Sequence, residues 1–265
     1  MLTIKEYIKA ESLEQAYELN QKKSNRILGG MMWMRLGKGN VNTAIDISGL
    51  GLDQIEETKE EFFIGAMVTL RQLENHSGLE AYTQGAVRES VCHIVGVQFR
   101  NLATVGGSIY GRFGFSDVLT AFLAMDTYVE LYKGGRMSLA EFSGKKPDRD
   151  ILVKIIVKKT PLHMAYLSQR NTKTDFPVLT CAVSRGEAGW KAVIGARPQR
   201  AVIVRDEENI MEEKFSQENV LRFADFVSEK ISTSSNMRGS AEYRKIIAQV
   251  LVKRACMQIG GTDEN

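Results

Sequence analysis

The chain has 265 residues, 43% of them hydrophobic, with 35 lysines and arginines against 32 aspartates and glutamates, a formal net charge of +3. That length accommodates two modest domains. No uninterrupted apolar run has the ~20 residues of a membrane-spanning helix, and the interleaved charges offer no basic face for nucleic acid or membrane.

The first residues, MLTIKEYIKAESLEQAYELN, carry acids and amphipathic spacing where a signal peptide has a basic stretch and an apolar core, so the expectation is a cytoplasmic protein. Cys92, Cys181 and Cys256 lie far apart with no C-x-x-C pair, and His76, His93 and His163 are scattered. Neither set has the spacing of an iron–sulfur or zinc site, and no metal ligand is expected in this chain.

Residues 12–23, SLEQAYELNQKK, predict an amphipathic helix capped by Ser12. Arg26, Ile27 and Leu28 predict a short strand that runs into Gly29-Gly30 and then a helix starting within Met31-Met32-Trp33-Met34. Exposed amides at such a helix start suit a phosphate. The alternative is a plain turn, with Met31, Met32 and Trp33 filling a core. Thr43–Ser48 alternates as a strand into Gly49-Leu50-Gly51, but Gln54 stands where a dinucleotide fingerprint needs its third glycine. A strand at Phe62–Ala66, a short helix from Thr69 to Leu73 and further helix toward Cys92 follow.

Arg100–Asp126, RNLATVGGSIYGRFGFSDVLTAFLAMD, combines three signals. Ala103, Thr104 and Val105 read as strand-like and run into Gly106-Gly107, whose amides are expected to be open to a phosphate or flat ring; an ordinary turn is the alternative. Ser116-Asp117 then precedes the helical run Val118, Leu119, Phe122, Leu123 and Met125, as a cap or first-turn carboxylate. A hairpin is predicted over Tyr128–Leu139, a buried strand over Asp150–Lys159, and a domain boundary at Pro161. Antiparallel strands at Pro177–Val183 and Trp190–Ile194, then helices at Ser216–Ile231 and 246–254, complete the chain.

R-N-x-A-T-x-G-G-S-I, Asp117, a helix ending Ala124-Met125-Asp126, and later Ser240-Ala241-x-Tyr243-Arg244 with V-L-V-x-R-A resemble the flavin-binding subunit of the molybdenum hydroxylases. That group includes the flavoprotein subunits of xanthine and carbon monoxide dehydrogenases. The resemblance implies an α+β chain: a vanillyl-alcohol-oxidase-type FAD-binding domain over 1–160, in lobes of about 1–54 and 55–160, followed by a smaller α+β carboxy-terminal domain over 161–265. It places Leu28, Gly29, Gly30, Met31, Met32, Trp33 and Met34 where the group has L-A-G-G-T-D-L, whose backbone amides wrap the FAD pyrophosphate. Thr104, Val105, Gly106, Gly107 and Ser108 become a second part of the cradle, and Asp117 a partner for a ribityl or ring group. Ile94 is set against the flavin ring, with the backbone near Leu152 and Val153 brushing it.

The chain departs from the group at three places: Met31-Met32 for Thr-Asp, Phe113-Gly114 for Ser-Pro, and Leu167, Ser168 and Gln169 where a flavin-proximal lysine is common. Arg170 is the nearest cation there, and a solvated arginine is its other reading. No catalytic side chain is implied. The cofactor implied is FAD, with molybdopterin and [2Fe–2S] clusters held by a molybdopterin-binding subunit and an iron–sulfur subunit. The implied function is electron transfer in a xanthine dehydrogenase-like oxidoreductase, with NAD among the acceptors. The rivals are an assembly subunit that has lost the cofactor and a free-standing flavin reductase.

Overall fold

The computed structural model describes residues 1–211 and 215–260. Residues 212–214 and 261–265 of the expected carboxy-terminal domain lie outside the described residues. The chain forms two compact units: residues 1–73, 97–111 and 127–158 make the first, and 74–96, 112–126 and 159–265 the second.

In chain order the elements begin with β1 (Leu2–Lys9), α1 (Leu13–Asn20), β2 (Arg26–Leu28), β3 (Gly39–Asp46), β4 (Ile55–Glu57) and β5 (Glu61–Gly65). Short helices follow: α2 (Leu70–Glu74), α3 (Ser77–Tyr82), α4 (Ala86–Cys92), α5 (Val97–Arg100), α6 (Val105–Tyr110) and α7 (Asp117–Leu123). Next come β6 (Thr127–Leu131), β7 (Gly135–Ser138), α8 (Leu139–Gly144) and β8 (Leu152–Lys158). The last are β9 (Leu162–Arg170), β10 (Pro177–Gly186), β11 (Gly189–Gly195), β12 (Val202–Arg205), α9 (Gln217–Lys230) and α10 (Ala241–Gly260).

The first unit holds two sheets. A parallel three-stranded one runs β1-β3-β2, and an antiparallel five-stranded one runs β4-β5-β8-β6-β7. Helix α1 forms as expected: the Ser12 hydroxyl accepts from the Gln15 amide, and Ala16 is buried with Ala10, Ile45 and Ile47. Strand β1 was not foreseen. Its side chains are mostly exposed, and it forms by pairing in register with β3, Leu2 opposite Gly39 through Lys9 opposite Asp46. Arg149 ties the segment before β8 to α1 and β2, donating to the carbonyls of Lys22 at 2.8 Å and Asn25 at 2.9 Å.

The second unit is built on the antiparallel sheet β12-β11-β10-β9. Side chains alternate across a strand, so Leu179, Cys181 and Val183 of β10 face one way, into a core with Phe223 and Val227 of α9 and Leu251, Val252 and Ala255 of α10. Thr180 and Ser184 face the other way and meet α7, the Thr120 and Thr180 hydroxyls 2.9 Å apart and Ser184 Oγ donating to the Ala124 carbonyl at 2.6 Å. Both faces of β10 are therefore covered. Full burial of a side chain such as Phe223 is worth about 1.5–3 kcal/mol, and each polar group on the opposite face has a partner, as burial requires.

The Ser240-to-Arg244 motif has a physical account here. Ser240 Oγ accepts from the Tyr243 amide at 3.1 Å and starts α10, while the fully buried Arg244 donates to the carbonyls of Val178 at 2.9 Å and Ser234 at 2.7 Å and to Asn236 Oδ1 at 2.6 Å. One guanidinium thus fixes the loop before α10 against the start of β10.

Candidate functional site

Leu28 ends β2 and is buried with Val41 and Ala44. The chain then turns through Gly29 and Gly30 against the segment before α6. A Cβ on Gly30 would lie 1.8 Å from the Leu102 carbonyl oxygen, and one on Gly29 would lie 3.0 Å from Thr104 Oγ1. The two glycine-bearing segments, far apart in sequence, are therefore neighbours within the first unit.

Met31 follows with φ +58°, a left-handed conformation that a side chain rarely takes. The expected helix at Met31–Met34 shrinks to one 3₁₀ turn, Met34–Leu36, closed by the Arg35 amide on Met31 O and the Gly37 amide on Met34 O. Met31 at positive φ cannot belong to a right-handed helix, and Gly37 is already extended at the other end. Among the described residues, the backbone N–H groups of Gly29, Gly30, Met31 and Met32 have no acceptor within the chain. Consecutive amides of this kind around a left-handed residue form an anion-binding concavity. The core-filling expectation holds for the methionines, since Met31 and Met34 pack on Leu28, Val41 and Ala44, and Met32 is buried. Trp33 is not core, being 42% exposed.

Residues Thr104–Ser108 differ from expectation. The run before the glycines is not a strand: Thr104 caps α6, with Oγ1 accepting from the Gly107 amide at 3.1 Å, and both glycines sit in the first turn of the helix. The Val105 amide donates to Val68 O at 2.8 Å, Gly106 to Ala66 O at 2.9 Å and Ser108 to Thr104 O at 3.1 Å. All four amides from Val105 to Ser108 are thus engaged inside the protein. Alternation of small and β-branched residues favoured the strand reading, whereas the cap and the bonds to Val68 and Ala66 are tertiary contacts. Gly106 is a glycine because a Cβ would lie 2.4 Å from Ala66 O, while Gly107 is exposed and meets only Thr104 Oγ1, at 3.1 Å.

Leu152 and Val153 open β8 in the same unit. The Ala66 amide donates to Val153 O at 2.9 Å and the Ala66 carbonyl takes the Gly106 amide, so a backbone relay joins β8 to the first turn of α6. Ala66 is the residue that sequence reasoning missed, since an alanine at a strand end carries no chemical signal of its own.

Ile94 and Asp117 belong to the second unit. Ile94 is half-buried just past α4, its amide on Val91 O at 2.9 Å. Asp117 is the first residue of α7, behind Ser116, whose hydroxyl accepts from the Leu119 amide. Its carboxylate is buried, accepts from the Tyr166 hydroxyl at 2.5 Å and pairs with the Arg170 guanidinium. Burial pushes this carboxyl up to about 6, opposed by the Arg170 charge and the Tyr166 hydrogen bond. Arg170 is accordingly no solvated arginine: its side chain is 7% exposed and also donates to the Asp175 carbonyl. Leu167, Ser168, Gln169 and Arg170 lie in strand β9, with Tyr166 and Arg170 on one of its faces.

Among the described residues no helix is long and apolar enough to cross a membrane. A family model described as the FAD binding domain in molybdopterin dehydrogenase matches residues 2–160, and one described as the CO dehydrogenase flavoprotein C-terminal domain matches residues 165–259. The medium subunit of nicotine 6-hydroxylase from Paenarthrobacter nicotinovorans is 24% identical over 96% of this chain and 96% of its own. The protein YgfM of Escherichia coli (strain K12) is 26% identical, over 97% of this chain and 98% of its own. Among solved structures, a carbon monoxide dehydrogenase chain from Hydrogenophaga pseudoflava superposes with a TM-score of 0.85 at 23% identity, covering 97% of each chain. A quinoline 2-oxidoreductase chain from Pseudomonas putida 86 does so with a TM-score of 0.83 at 16% identity, again over 97% of each. The mixed helix and sheet architecture, an amino-terminal FAD-binding domain with a smaller carboxy-terminal one, is the expected one, and the chain belongs to the FAD-binding flavoprotein family of the molybdopterin dehydrogenases.

Proposed function

We propose that this chain is the FAD-carrying medium subunit of a molybdenum hydroxylase, working with an iron–sulfur subunit and a molybdopterin-binding subunit. The observation that carries the reading is the row of amides at Gly29, Gly30, Met31 and Met32, without acceptors among the described residues and in a segment set against Leu102–Thr104. A pyrophosphate fits this concavity, because an anion supplies acceptors to donors the fold leaves unmatched. Leu28–Met34 hold the pyrophosphate through backbone. The exposed side of Gly107 and the Ser108 hydroxyl border it, and the Leu152–Val153 backbone, fixed through Ala66, bears on the ring. Asp117 acts at one remove: its Oδ1 accepts from both Tyr166 and Arg170 and holds them in place. The span 1–160 serves as the FAD domain, in its two lobes, and 161–265 as the carboxy-terminal domain.

FAD, when bound, accepts electrons singly and releases them in pairs. The chain binds and orients it. The finer reading, a xanthine dehydrogenase-like cytoplasmic complex that hands electrons to NAD, is supported by the resemblance of Arg100–Asp126 and Gly239–Ala255 to that group. Its medium-subunit role is supported by the nicotine 6-hydroxylase relative.

Two measurements test this. Flavin released by heat from the purified chain and separated by chromatography should be FAD. FMN, or no flavin even after reconstitution, overturns the cofactor assignment. Isolation from native cells should bring down an iron–sulfur chain and a molybdopterin chain; full turnover of an organic substrate by this chain alone overturns the subunit assignment.

A further inference from the structure

Helix α4 ends at Cys92, and Glu89, Cys92 and His93 are three and four residues apart, so they leave one face of its final turn. One donor atom from each lies within 4.8 Å of the others. His93 Nε2 stands 3.3 Å from Glu89 Oε1, and the Cys92 thiol donates to Glu89 Oε2 at 3.6 Å. Donors on a tetrahedral zinc, at bond lengths of about 2.0–2.3 Å, are about 3.3–3.8 Å apart. The Glu89 carboxylate thus has one oxygen near each of the other two donors, and the three donors are close enough for side-chain rotation to bring them onto one ion.

We propose that Glu89, Cys92 and His93 form a three-ligand site for a borderline-soft divalent cation, best matched by zinc, with water as the fourth ligand. Thiolate and imidazole select zinc or cobalt over magnesium and calcium, which prefer oxygen alone. The location adds to this, because the final carbonyls of a helix carry partial negative charge and favour a cation. Access is open: Glu89 is exposed, and Cys92 and His93 are half-buried. Binding forms a metal–sulfur bond and releases the Cys92 proton to solvent, with no change of oxidation state. The sequence reading treated Cys92 and His93 as scattered because it paired cysteines with cysteines; helix geometry joins them to Glu89.

The test uses the full chain, stripped with a chelator and kept in a thiol-free reductant. Titration with Co²⁺ should raise a thiolate-to-cobalt charge-transfer band that saturates at one equivalent and is displaced by Zn²⁺. Cys92→Ser should abolish the band. His93→Gln and Glu89→Gln should each weaken binding about tenfold or more, equivalent to about 1.4 kcal/mol. Chemical modification offers a second readout, since Cys181 and Cys256 are fully buried with thiols pushed up by burial, leaving Cys92 to react in the native chain. Saturating Zn²⁺ should slow its reaction with a disulfide reagent, and His93→Gln should remove that protection. Absence of the band, its survival in Cys92→Ser, or unchanged thiol reactivity at saturating zinc overturns the site.

Discussion

Gly29-Gly30 and Gly106-Gly107 look alike in the sequence, each a glycine pair where an apolar run stops, yet they do opposite things with their amides. Around the first pair, four successive N–H groups find no acceptor among the described residues. Around the second, every amide from Val105 to Ser108 is bonded to Val68, Ala66 or Thr104. The second segment is thus a buttress: it supplies the surface, at Leu102–Thr104, on which the first rests. Gly30 and Gly106 meet the same steric demand, close approach of another backbone, and what separates the two segments is which amides remain unbonded afterwards.

That contrast can be attacked at several strengths. The harshest test is Gly30→Val, whose Cβ would start 1.8 Å from the Leu102 oxygen. The loop must lift off its support, so we expect FAD binding to be lost and stability to fall by about 3 kcal/mol or more, followed by flavin-fluorescence titration and thermal melting. Undiminished FAD affinity in a folded Gly30→Val chain would detach the open amides from the ligand.

Gly106→Ala sets a Cβ 2.4 Å from Ala66 O. Its expected cost is about 1–3 kcal/mol in stability, read by denaturant melts, with FAD affinity changed much less than in Gly30→Val. An FAD defect without a stability defect would make the second segment a direct ligand contact and erase the distinction.

Met32→Pro removes one open amide and disfavours the conformation of Met31 before it. FAD should bind more than about tenfold more weakly, a loss above about 1.4 kcal/mol, while the chain stays folded by circular dichroism. A harmless proline would place the pyrophosphate elsewhere.

The mildest change is Met31→Gly. Relief of the left-handed strain, about 1–2 kcal/mol, is offset by lost packing on Leu28, Val41 and Ala44. Stability should stay within about 1 kcal/mol and FAD affinity should be retained, because the amide persists. A tenfold loss of affinity by titration would show that the Met31 side chain, and not its backbone, meets the cofactor.

Much of the fold was legible because its signals are local. The Ser12 cap of α1, the hairpin β6-β7, the alternation in β8 and β10 and the amphipathic α9 are all written within a few residues of where they act. Strand β1 and helix α6 were not legible, since one is held by its pairing with β3 and the other by bonds to Val68 and Ala66. For the candidate site, the sequence singled out both glycine segments but misjudged which of their amides are engaged within the protein. An amide's availability depends on every other carbonyl in its neighbourhood, and Ala66, the decisive neighbour, is chemically silent. Asp117 was visible as a helix-start carboxylate; that Tyr166 and Arg170 already occupy it was not.

The interleaving of the two units has a consequence for synthesis. The polypeptide passes from one unit to the other after Leu73, Gly96, Gly111, Asp126 and Lys158, so neither unit is a continuous stretch of chain. When the ribosome has made the first 160 residues, α7 exists but the strands that cover it, β10 and β11, do not. Helix α7 can pack on the earlier α4, but its side toward β10 and β11, with Thr120 and Ala124 that meet Thr180 and Ser184, must wait for the carboxy-terminal sheet. A nascent chain in that state is open to aggregation until those long-range pairings close. Cutting the gene at the point that looks like a boundary in the sequence, near Pro161, would make that transient exposure permanent.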